Sequence, residues 1–200
     1  MFGYRITQII FWLALSVYFG GLTILGSVVA AQLFGTAQHL NISAPGISPH
    51  LNAPREIAGT MFGNILQIFS YVELLCLPLM LIALLLQLAV FVGPLNFWLW
   101  LRILLTVGLL LVAFEDVFRT GPEVRRAHEA WVKAADSQPA LIAEKQKAFD
   151  ALHAKSETNG KIKILVMALL VVVSASDLGP TKTAAKAPAT TPTPTTQPGK

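Results

Sequence analysis

Four long runs of apolar residues dominate the chain: Ile6 to Phe34, Ile57 to Val92, Phe97 to Phe118, and a shorter one from Ile162 to Ser176. The first exceeds the roughly 7–15 apolar residues of a signal peptide, so it reads as a membrane-spanning helix. The second would be about 54 Å long as one helix, against a hydrocarbon core of about 30 Å. Its more polar end, with Thr60, Asn64 and Gln67, is therefore expected outside the lipid or inside the bundle. Gly93, Pro94 and Asn96 make a short turn, which folds the second and third runs into an antiparallel hairpin.

The polar stretches between the runs have their own patterns. Gly35 to Arg55 carries three prolines and reads as a loop. Asn52, Pro54 and Glu56 form a helix-start signal. Thr120-Gly121-Pro122 reads as the end of the third helix. Residues 119–159 are rich in Ala, Glu and Lys and are expected to form two helical pieces that meet near Ser137-Gln138-Pro139. In the second piece Leu141, Ile142, Phe149 and Leu152 share a face, so it is an amphipathic extension that either lies on the headgroups or, as the first reading, runs on into the fourth span. Residues 177–200 are Pro, Thr, Ala and Lys, too poor in apolar side chains to fold, and are expected to be disordered.

The expected fold is all-α: a polytopic membrane protein with four transmembrane helices and an amphipathic helical extension before the fourth. The spans are about 6–34, 57–92, 97–118 and 160–176. Residues 1–176 form the membrane domain.

Composition agrees. Hydrophobic residues make up 54% and charged ones 13%, against about 25% charged in a soluble domain. The net charge of +4 does not point to nucleic acid, because the basic residues flank membrane segments. Ten of the fifteen Lys and Arg residues lie on the side of the first and third loops. That bias puts residues 119–159 in the cytoplasm and both termini outside, in a cell membrane, the inner one if the source is bacterial. The lone Cys76 excludes an intramolecular disulfide or a thiolate metal cluster.

Candidate chemistry lies at the span edges. Glu73 precedes Val92 by nineteen residues, and Glu115 follows Asn96 by nineteen. Both then sit about 28 Å below the outer surface, with Asp116 beside them. They form a candidate polar or ion site, read either as a proton or cation site or as a boundary cluster paired with Arg55 or Arg119. Arg102 falls level with Gln87, so it either snorkels to the outer surface or hydrogen-bonds Gln87 across the hairpin, the second being the expected use. Ser16, Gly20, Thr23, Ser27 and Ala30 recur on one face of the first helix, and Gly59 and Gly63 form a GxxxG; both suit close helix packing. His153, Ser156 and Asn159 fall at steps of three along one side of a helix. His39, His50 and His128 have no metal-ligand spacing. Asn41-Ile42-Ser43 is a glycosylation sequon on the expected cytoplasmic side. No phosphate loop, dinucleotide fingerprint or nucleophile elbow is present, so no enzyme activity, cofactor or metal is implied.

Three stretches resemble the transmembrane protein 205-like family of small four-helix membrane proteins. They are "GGLTILGSVVAAQLF", "REIAGTMFGNILQIFSYVE" and "FDALHAKSETNGKIKIL". The resemblance implies that Phe149, His153, Ser156 and Asn159 form a family motif face. It implies no reaction. The sequence supports a non-enzymatic packing or partner-binding membrane protein. The alternative is a small ion-coupled transporter using the carboxylate cluster. The expected partners are the bilayer and either a second copy or another membrane protein.

Overall fold

The computed structural model describes residues 2–39, 51–92 and 96–176. They form four long helices: α1 (Phe2–His39), α2 (Ala53–Val90), α3 (Phe97–Ser137) and α4 (Ile142–Ser176). All four are long and apolar enough to cross a membrane. Among the described residues there is no strand. The expectation for residues 177–200 and the sequon at Asn41 lie outside the described residues, as does His50.

The helices start where local chemistry allows. Asn52 caps α2: its Oδ1 accepts the Arg55 N–H at 3.2 Å. Pro54 stands in the first turn, where its missing N–H has no intrahelical role. Asn96 caps α3 in the same way, accepting the Leu99 N–H at 3.2 Å. Gln138 interrupts the chain between α3 and α4, and Pro139–Leu141 make a single 3₁₀ turn. From Ile142 to Ser176 the helix is unbroken, so the amphipathic extension and the fourth span are one element, as expected.

Two boundaries differ from the sequence reading. α1 runs on to His39, into the stretch read as loop. Thr120-Gly121-Pro122 does not end α3. A π-helical turn spans Asp116–Thr120, and the Gly121 N–H bonds back to the Asp116 carbonyl. This wider turn lets the helix pass Pro122 without a break. Further π turns occur at Leu25–Val29 in α1 and at Gln87–Val92, across the end of α2.

The core lies where the four helices meet. Phe11, Leu15 and Tyr18 of α1 pack with Leu77, Met80 and Leu84 of α2, Leu99 and Leu109 of α3, and Met167 and Leu170 of α4. The outer faces are apolar and exposed, including Ile9, Leu13, Ile82, Leu104, Leu111 and Leu165. That inversion suits a lipid surround, where burial against other helices gains little over burial in acyl chains.

The small-residue stripe is not the packing face of α1 within the chain. Ser16, Thr23 and Ser27 are exposed, and Gly20 is half-buried. Thr23 and Ser27 donate to carbonyls of their own helix instead. Gly59 and Gly63 also have open space where a side chain would stand. The close approach occurs one residue away from the expected glycine. A Cβ on Gly21 would lie 2.5 Å from Cε2 of Phe69. Bulky α1 residues fill the gap between helices, so the bundle has no need of a small-residue seam.

Candidate functional site

At the end of the core nearer the α3–α4 hairpin, called the inner end for that reason, side chains from all four helices converge around Glu73. Tyr18 of α1 donates a short hydrogen bond to its Oε1. Lys163 of α4 lies 3.0 Å from the same oxygen and 3.2 Å from Oε2. The Lys163 ammonium also bonds Asp116 Oδ2 of α3 at 2.7 Å. Asn159, one turn earlier on α4, donates to Asp116 Oδ1 and to Glu115 Oε2, both at 3.3 Å. Glu115 in turn takes Lys155 at 2.7 Å and Thr120 at 2.9 Å. The result is one connected network: Tyr18, Glu73, Lys163, Asp116, Asn159, Glu115 and Lys155.

Burial is graded along it. Side-chain exposure is 44% at Lys155 and 36% at Glu115. It falls to 19% at Asp116 and 5% at Lys163, with Glu73 at 6%. A lone charge at that depth would be costly, so the pairing is what makes the position tenable. The π turn at Asp116–Thr120 starts within the cluster. Phe69 stacks on Tyr18 at 6.1 Å, and the space over Gly21 is what admits that ring.

The expected level of Glu73, Glu115 and Asp116 agrees with this geometry, but their partners differ. Arg55 is exposed, and Arg119 pairs with Glu123 within its own helix at 3.5 Å. Lys163 and Lys155 take their place. Sequence reasoning missed Lys163, Tyr18 and Thr120. A signal for Lys163 was present: it extends the line His153, Ser156, Asn159 by one further turn of α4.

A second polar layer lies at the other end of the core. Gln8 of α1 stands between Arg102 of α3 and Gln87 of α2. Its Oε1 accepts from Arg102 Nη2 at 3.3 Å, and its Nε2 donates to Gln87 Oε1 at 3.2 Å. The Arg102 guanidinium also lies 4.4 Å over the Phe11 ring. Arg102 and Gln87 are thus level as expected, but Gln8 bridges them. In α2, Glu73 and Gln87 are fourteen residues apart, about 21 Å along the axis. Between them lies the apolar core.

The motif face splits. Asn159 joins the charge network. Phe149 and His153 form an aromatic stack on the hairpin of α3 and α4. Their rings are 5.5 Å apart, and Phe149 stacks on Trp131 at 5.4 Å. His128 lies 5.3 Å from Phe149 and bonds Glu56 of α2 at 2.8 Å. Ser156 is half-buried on the same side. Further along, a hydrogen bond from the Lys161 ammonium holds the Glu157 carboxyl below the usual carboxylate range. Among the described residues no group of three His, Cys, Asp or Glu could hold a metal ion.

No family model matches the chain, and no curated protein or solved structure matches it at a significant level.

Proposed function

We propose that the chain is a non-enzymatic multi-pass membrane protein whose ionic network fixes α4 against the other three helices. It thereby holds the α3–α4 hairpin in a set position for a protein partner. One observation carries this reading: Glu73, Lys163, Asp116 and Glu115 are all paired with one another or with Tyr18, Asn159, Thr120 and Lys155. A network that satisfies itself is suited to setting register. α4 continues without interruption from the network to the hairpin, so a shift of Lys163 would be carried to Phe149. The hairpin displays Arg125, Arg126, Glu129, Lys133, Lys147 and Asp150 to solvent. The charge bias puts this surface in the cytoplasm and the termini outside. The likeness to the transmembrane protein 205-like family fits the same reading.

The test is a photo-crosslinking residue at Arg126 or Lys147 in intact cells. The expected result is a discrete adduct that weakens in Lys163→Met. A uniform smear, or an adduct indifferent to Lys163, would count against the reading.

A second reading is ion handling. It is favoured by the graded burial from Lys155 to Glu73, which gives protons or cations a stepwise polar route into the core. Proteoliposomes with an imposed ion gradient distinguish the two. Flux abolished by Glu73→Gln supports ion handling; absence of flux in the wild type removes it.

A further inference from the structure

Where α1 ends and α2 begins, a cavity of about 800 Å³ opens against α4. Its described lining includes Gln38 and His39 from α1, Asn52 and Arg55 from α2, and His153 from α4, with Phe34 as an apolar wall. No carboxylate is among the described lining residues. The nearby acids hydrogen-bond other partners, although the Glu157 charge also acts on His153. Glu56 turns to the far side of α2 and bonds His128 at 2.8 Å. Glu157, one turn beyond His153, bonds Lys161 at 3.0 Å.

The character of this cavity does not simply follow from the net charge of +4. A second cavity of about 550 Å³, also against the first turns of α2, is lined by Glu56, Glu129 and Asp136 together with His128 and Lys133. Two cavities at one end of the molecule therefore differ in charge. One offers three carboxylates; the other offers a guanidinium, two imidazoles and two amides.

We infer that the cavity between His39, Arg55 and His153 binds a phosphate group. The α2 terminus is not the source of the donors, because Asn52 already accepts the Arg55 and Glu56 N–H groups. The donors are side chains. A guanidinium presents a planar fork that matches phosphate oxygens, and imidazole and amide N–H groups add further bonds. The apolar surface of α1 and α2 extends beyond Glu73 toward this end, with Ile24, Val28, Met61 and Ile68 exposed. A phospholipid headgroup and a soluble phosphate ester can both reach such a mouth.

The test uses the full chain in phosphatidylcholine nanodiscs, titrated with inorganic phosphate and read by tryptophan fluorescence. Trp131 is a suitable reporter because it stacks on Phe149, which stacks on His153. A parallel arm adds phosphatidylglycerol and counts the lipids retained per protein by native mass spectrometry. Saturable phosphate binding that weakens roughly tenfold or more in Arg55→Gln/His153→Gln supports a soluble phosphate. Retained phosphatidylglycerol lost in the same variant supports a lipid headgroup. If that variant fails to fold, His39→Gln at an exposed position carries the same expectation. Lys147→Gln removes a charge outside the cavity. An equal loss in Lys147→Gln, or no saturable binding in either arm, overturns the inference.

Discussion

The two polar layers of the bundle handle buried charge in different ways. The inner layer sets full charges against each other: Glu73 and Asp116 share Lys163. The outer layer holds Arg102 with the neutral amide of Gln8 and the face of Phe11. Removing Lys163 strands two carboxylates, Glu73 and Asp116. Removing Arg102 leaves behind only neutral groups of that set. The inner layer is therefore the more fragile to single substitutions, although it contains more ionic bonds. Each layer also coincides with a π turn in one of its helices, at Asp116–Thr120 and at Gln87–Val92. Such turns change which face a helix presents, and they recur where side chains must be aimed.

The largest effect is expected from Lys163→Met. It leaves Glu73 and Asp116 without their shared cation and should cost about 3–5 kcal/mol, as breaking a buried pair does. Reversible unfolding in mixed micelles measures it. Arg102→Met should cost less, about 1–3 kcal/mol, because Gln8 and Phe11, the groups described against its guanidinium, are neutral. If the order of these two is reversed, the contrast between the layers fails. Gly21→Leu should destabilise by about 1–3 kcal/mol through overpacking against Phe69. Pairing it with Phe69→Ala should recover part of that loss, which separates a steric effect from a loss of helix flexibility.

The smallest effects belong outside both layers. Ser16→Leu and Ser27→Leu sit on the exposed stripe and should leave monomer unfolding unchanged within about 0.5 kcal/mol. A change in oligomeric state on size exclusion would show that this face contacts a second copy. The Glu157–Lys161 pair lies exposed on α4, before its apolar run begins at Ile162. Because its carboxyl is held below the ordinary 4.5, its small contribution is complete above that value. It is lost as pH falls through the lowered folded value. Glu157→Gln should remove that slope from the acid unfolding curve and lower neutral-pH stability by the same small amount.

Apolar runs alone located all four helices that are long and apolar enough to cross a membrane, because lipid imposes a minimum helix length that sequence displays directly. The caps at Asn52 and the break at Gln138 were also legible, since they depend on neighbouring residues. Rise per residue placed Glu73, Glu115 and Asp116 on one level, and Arg102 with Gln87. What rise cannot supply is azimuth. It did not reveal that Tyr18 faces Glu73, or that Lys163 points inward rather than out to the headgroups. The Thr120-Gly121-Pro122 stop misled because a π turn absorbs the proline without ending the helix. The small-residue stripe shows a face suited to close packing, and composition does not say whether it meets a helix of its own chain or a partner.

A double-mutant cycle on Glu73 and Lys163 tests the central claim most directly. Glu73→Met, Lys163→Met and the double variant would be unfolded under identical conditions. The pairing observed here predicts that the double variant is more stable than the sum of the single losses implies, by about 1–3 kcal/mol. Additive losses, with coupling indistinguishable from zero, would mean that the two groups do not act as a pair and that the network does not hold α4 in place.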